Sequence, residues 1–160
     1  MAEDSINITV TGMEKIEEVF AQLATKIATL KQPLGAIGSY LTNIIEESFD
    51  AETSPSGEAW HPLAESTKKY KARHGGSKIL QSGNRTLRES IGYEVMGEEG
   101  VIVGVNAYSS KGYPYPIAHQ FGTEDGKIKA RPFMPITQDG ELYDNVNEEV
   151  LDILLGYLAE

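Results

Sequence analysis

Apolar positions along this chain follow two rhythms. Ile16, Val19, Phe20, Leu23, Ile27 and Leu30 recur at intervals of three and four, which predicts a helix with one apolar stripe among charged neighbours. Pro33 interrupts, and Leu34, Ile37, Leu41, Ile44, Ile45 and Phe49 resume the spacing, so a second helix is expected over 34–50, joined to the first by a break or kink. Both stripes are expected to be core. Near the C-terminus Val146, Val150, Ile153, Leu154 and Leu158 repeat the pattern, while Leu151 and Leu155 draw a second apolar line. A helix apolar on two sides has two surfaces to cover.

The other rhythm has period two. Ile6, Ile8 and Val10 alternate in "INITV", predicting a short strand. Ile91, Tyr93 and Val95 alternate before the turn "GEEG", and the β-branched run "VIVGV" follows, which predicts a hairpin. Between these regions, 51–60 is rich in turn formers and reads as an exposed loop ending at Trp60, the only tryptophan. "AESTKKYKAR" predicts a short basic helix that stops before Gly75 and Gly76. "KILQSGNRTLRESI" is expected to start extended, turn at "SGN" and return through Leu87 toward a strand. "YPYPIAHQFG" (113–122) reads as a proline-rich loop, and "KARPFMPIT" as extended chain suited to a sheet edge, because residues preceding proline avoid the helical region. These elements describe an α+β fold in one domain over 1–160. A long N-terminal helix or kinked helix pair and a C-terminal helix pack on a small antiparallel sheet.

Composition narrows the class. A chain of 160 residues with 40% hydrophobic side chains has material for one modest core, and without cysteine it has neither disulfides nor thiolate metal sites. "MAEDSINITV" lacks the basic start and apolar run of a signal peptide, and no run of ~18 apolar residues suggests a membrane span. Synthesis in the cytosol without membrane insertion is therefore expected.

The net charge of −10 argues against a general nucleic-acid binder. Its distribution matters more. Residues 66–88 carry seven basic and no acidic side chains, whereas 139–160 carry seven acidic and no basic ones. A basic segment between acidic ends suits head-to-tail contact with copies of the same chain, or pairing inside one subunit. Lys68, Lys69, Lys71 and Arg73 are the basic interface candidates, with passing contact to DNA as the other use of that segment.

Signatures of phosphate-binding loops, serine hydrolases, zinc peptidases and calcium loops are absent. His61, His74 and His119 lie at spacings unlike those of metal-ligand pairs, and neither metal nor cofactor is expected. His119, near Glu124 and Asp125, has the chemistry of a general base in a small hydrolase or nuclease. Its neighbours Tyr115, Phe121 and Phe133 favour a structural latch, in which an imidazole joins two backbone segments. Arg131 reads as an anion-binding group or as an ion-pair partner holding its loop, and Trp60 as a partner-binding hot spot or a loop anchor.

Four stretches in order carry a resemblance: "FDAETSPSGEAWHPLAEST" (49–67), "KILQSGNRTLRESI" (78–91), "YPIAHQFG" (115–122) and "IKARPFMPI" (128–136). Together they resemble the phage virion morphogenesis family of tail-completion proteins of contractile-tailed phages, most strongly over 40–140. The family's aromatic, proline and glycine loop matches Phe49, Pro55, Gly57, Trp60, Pro62 and Leu63. Its leucine and Ser-Gly pair match Leu80, Ser82 and Gly83; its HQFG matches His119, Gln120, Phe121 and Gly122, and its RPF matches Arg131, Pro132 and Phe133. After Gly83 this chain inserts Asn84 before Arg85 and Leu87, a slightly longer loop than family members often have.

The resemblance implies a structural protein without catalysis, made in the bacterial host cytoplasm and placed in the virion at the tail end or head–tail junction. It completes the tail and lets heads join. Its implied partners are itself, as a ring, and tail-tube, tail-terminator or neck proteins, with no membrane. A head-side neck or connector protein is the alternative in the same class.

Overall fold

The structure, a computed structural model, describes residues 13–81 and 86–160. The strand expected at 6–10 and the turn expected at 82–84 lie outside those residues. In chain order the elements are α1 (Met13–Ile27), α2 (Lys31–Ala51), α3 (Glu65–Arg73), α4 (Thr86–Glu89), β1 (Ile91–Met96), β2 (Gly100–Val105), α5 (Tyr115–Phe121) and α6 (Asp144–Ala159). The result is a small α+β fold with one two-stranded antiparallel sheet among the described residues.

The helix break falls at 28–30, earlier than Pro33 suggests. The Thr29 N–H closes on Lys26 C=O at 3.0 Å, three residues back, which tightens and ends α1. Pro33 then sits in the first turn of α2, where its missing N–H forfeits no helix bond. α2 is the central beam. Ile37 and Leu41 pack with Val146 of α6, and around them lie Val101 and Val103 of β2. Farther along, Ile45 and Phe49 enter a second cluster with Trp60, Ile79, Leu87, Ala107 and Phe133.

The hairpin pairs Ile91 with Val105, Tyr93 with Val103 and Val95 with Val101. Its approach to α2 is close enough that a Cβ on Gly38 would collide with the Tyr93 ring. Only glycine fits there. α3 ends as its glycines predict: Gly75 has φ +78, and the Gly76 N–H donates to Lys71 C=O at 2.9 Å.

Four expectations are corrected. Leu87 does not return into a strand; it lies on the one-turn helix α4 and is buried in the Phe49 cluster. Arg88 anchors that turn to α2 through Asp50 at 2.6 Å and Glu46 at 2.9 Å. The proline-rich loop contains a helix, α5, because Pro116 falls in its first turn, where proline is tolerated. The "KARPFMPIT" run is extended but joins no sheet, and its only ladder contact among the described residues is an isolated bridge between Ile136 and Leu142. Finally, the α1 stripe is not core. Ile16, Val19, Phe20 and Ile27 are 48, 54, 66 and 56% exposed.

α1 meets the body chiefly at α6. There the Lys26 ammonium donates to the C=O groups of Tyr157 and Leu158, both at 3.3 Å, capping carbonyls that the end of α6 leaves free. The Thr29 and Tyr157 hydroxyls lie 2.8 Å apart. α6 turns Val146, Val150, Ile153 and Leu154 inward and leaves Leu151 and Leu155 exposed.

Candidate functional site

The sequence words that stand apart along the chain meet around one aromatic core. Phe49, at the end of α2, touches Trp60 edge-on and Phe133 at a tilt, with ring centroids 5.5 Å apart in both pairs. Trp60 is 5% exposed, and its indole N–H donates to Pro132 C=O at 2.6 Å. It anchors its loop within the subunit. That loop is a tight return rather than a loose one: Thr53 bridges Ala59, and Ser54 is buried.

Phe133 is wholly buried and is held by a side chain from α5. Gln120 Oε1 accepts the N–H groups of Phe133 and Met134, each at 2.9 Å, and its Nε2 donates to Met134 C=O at 3.3 Å. The amide of Gln120 thus replaces the neighbouring strand that an extended segment would otherwise need. The latch between "HQFG" and "RPF" is therefore the Gln120 side chain, assisted by the His119 backbone, whose C=O accepts the Arg131 N–H at 2.7 Å. Gly122 completes it. With φ +77 and ψ −174 it occupies a region open in practice only to glycine, and a Cβ there would lie 3.1 Å from both Ala130 N and Ile128 O.

The His119 ring makes no such tie. Its Nδ1 is buried without a hydrogen-bond partner among the described residues, and the ring stands edge-on to Tyr115 at 5.9 Å. Burial, reinforced by the Arg131 guanidinium, holds the imidazole below its ordinary 6.5. A general base of the histidine–carboxylate kind needs the opposite neighbour. Asp125 is engaged elsewhere, accepting from the Thr123 hydroxyl at 2.7 Å and pairing with Lys127 at 2.9 Å. Arg131 pairs with no carboxylate among the described residues; it donates to His61 C=O at 2.8 Å and Pro62 C=O at 3.1 Å, fastening the Trp60 loop to its own segment. Phe121 is 37% exposed at the end of α5.

α3, α5 and the run 127–131 wall an open groove of about 880 Å³. Among the described residues its cations are Lys71, Lys127, Lys129 and Arg131, and no aspartate or glutamate lines it. Leu63, Leu80, Leu87 and Ile128 give it an apolar floor, and Tyr115 and His119 form part of its wall. Lys71 is fixed by the carbonyls of Lys78 and Gln81. Partial burial lowers its affinity for a proton. Lys68 pairs with Glu65 on the exposed side of α3, whereas Lys69 and Arg73 have no ion pair among the described residues.

The structure thus divides the sequence candidates. Trp60, Gln120, Pro132 and Phe133 hold the core together; Tyr115, His119, Arg131 and Lys71 border the groove. The sequence reading did not single out Lys127 and Lys129. Their signal is present in part, since Lys127 and Lys129 stand four and two residues before Arg131. Among the described residues no group of three His, Asp or Glu is placed to hold a metal, and no helix is long and apolar enough to cross a membrane.

No solved structure matches the chain significantly. A relative in Haemophilus influenzae, Mu-like prophage FluMu G protein 1, is 32% identical over 143 residues, covering 86% of this chain and 90% of the relative. The model of the phage virion morphogenesis family matches residues 11–159, nearly the whole length, and includes every residue of the core and groove just described. The chain belongs to the phage virion morphogenesis family.

Proposed function

We propose that this protein completes the phage tail and enables head–tail joining through protein–protein contacts, without catalysing a reaction. The observation that carries this reading, beyond family membership, is the stripe of Ile16, Val19, Phe20 and Ile27 left in water on α1. Exposed apolar surface of that kind marks a contact that the isolated subunit does not make. Its partners in this reading are further copies of the chain, arranged as a ring, together with tail-tube, tail-terminator or neck proteins. The core around Phe49, Trp60 and Phe133 supplies a rigid body from which the contact surfaces are presented.

His119 has no catalytic task in this reading: Asp125, a carboxylate that could have oriented it, is engaged with Thr123 and Lys127, and the ring lies beside the Arg131 guanidinium instead. The test is deletion of the gene from the phage or prophage that carries it, followed by electron microscopy of the particles. Filled heads beside unjoined or irregular tails support the assembly role, and normal joined particles overturn it. Native capture separates the tail side from a head-side neck role: tail-tube or terminator proteins recovered with the chain favour the former, connector proteins the latter.

A further inference from the structure

We propose that the cationic groove between α3, α5 and 127–131 receives the outer face of α6 from a second copy of this chain. The inference rests on the assembly role proposed above and names the occupant of one of its surfaces.

The two surfaces have complementary chemistry. On the outer side of α6, Leu151 and Leu155 stand one turn apart and are 48 and 60% exposed. Glu148 and Asp152 flank them, and none of the α6 carboxylates is ion-paired among the described residues. The groove presents the converse: among the described residues four cations and no carboxylate line it, with Lys127 also paired to Asp125 at its edge, over a floor of leucine and isoleucine side chains. An amphipathic helix laid in a groove is a recurring mode of recognition, with side chains one turn apart as its anchors. A space of about 880 Å³ admits two leucine side chains.

Other occupants fit less well. Pairing α6 with its own copy sets acidic flank against acidic flank, which costs energy where water is excluded. Lys69 and Arg73 of α3 line neither this groove nor the cavity beside Lys68. A DNA strand satisfies the groove cations, yet leaves both the groove floor and the α6 leucines in water. Donor and acceptor surfaces lie on different parts of one chain, so the contact is heterologous. It extends from copy to copy and closes into a ring when the rotation permits.

The test uses the full chain and two pairs of charge reversals at exposed positions. Lys127→Glu with Lys129→Glu spoils the groove, and Glu148→Lys with Asp152→Lys spoils the helix. By sedimentation, wild type associates above its 17.5 kDa subunit mass and each variant alone runs as a monomer. An equimolar mixture regains association beyond two subunits, with the variants alternating, because the intact groove meets the intact helix and the reversed groove meets the reversed helix. A chain with all four reversals regains association.

Association of the groove variant at wild-type strength overturns the proposal, as does a mixture that stays monomeric. A monomeric wild type whose binding to a short DNA duplex is lost in the groove variant overturns it in favour of nucleic acid. Defective particles on gene deletion together with any of these results remove this contact alone. Normal particles remove the assembly role.

Discussion

The side-chain carbonyl of Gln120 lies 2.9 Å from the buried backbone nitrogen of Phe133 and holds it as a neighbouring strand would. Gln120→Leu keeps the approximate volume and leaves the N–H groups of Phe133 and Met134 without their acceptor. A buried donor stripped of its partner costs about 1–3 kcal/mol. The expected result is a lower denaturation midpoint with unchanged helix content, read by urea titration. A midpoint equal to wild type shows that the latch does not hold the segment.

Trp60 divides into two measurable parts. Trp60→Phe keeps an aromatic ring against Phe49 and removes the hydrogen bond to Pro132, at a cost of about 1 kcal/mol. Trp60→Ala also opens a cavity, at about 3–5 kcal/mol. Calorimetry on the purified chain distinguishes them. Equal losses in both variants contradict the anchor role.

Gly38 and Tyr93 form a contact that admits no methyl group. Gly38→Ala is expected to destabilise by about 1–3 kcal/mol through overpacking. Combining it with Tyr93→Ala removes the overlap, so the double variant loses less than the sum of the single losses. Additive losses in a double-mutant cycle disprove the clash.

His119 gives stability a pH dependence of known sign. Above the ordinary imidazole value of 6.5, both folded and unfolded chains hold the ring neutral, and it contributes no slope. As pH falls through 6.5 the unfolded chain takes up the proton first, so stability declines until the folded ring also protonates. Wild type should therefore lose stability relative to His119→Gln as pH falls through about 6.5. Parallel curves for the two proteins contradict a depressed imidazole.

Phe20 separates assembly from folding. Being 66% exposed, it contributes little to the lone subunit, and Phe20→Ser should change stability by no more than about 0.5 kcal/mol. Head–tail joining in a complementation assay should nonetheless fall sharply. Full complementation removes the stripe from the assembly surfaces.

Local periodicity made α1, α2, the hairpin and α6 legible, because each is written in spacing over a few turns, and the paired glycines marked where α3 ends. α5 was hidden because Pro114 and Pro116 read as loop residues until their place at the helix start is known. The missing edge strand has a similar cause: the donors of 133–134 go to a glutamine side chain, a pairing that no alternation records. Spacing also cannot say what covers a stripe. That is why Ile16 and Phe20 look like Ile37 and Leu41 in the sequence and differ so much in exposure. The groove lay partly in view, since Arg131 and His119 were singled out while the cations two and four residues before Arg131 were not.

α1 has 15 residues and, among the described residues, little to lean on beyond its tether to α6 at Lys26 and Thr29. An isolated helix of that length is marginal in water. In a lone subunit the amides before Lys26 should exchange their hydrogens almost as a free peptide does, and they should become protected when neighbours cover the stripe. Winding of α1 and docking of the subunit then form one coupled equilibrium, in which protein concentration sets how much helix the chain contains.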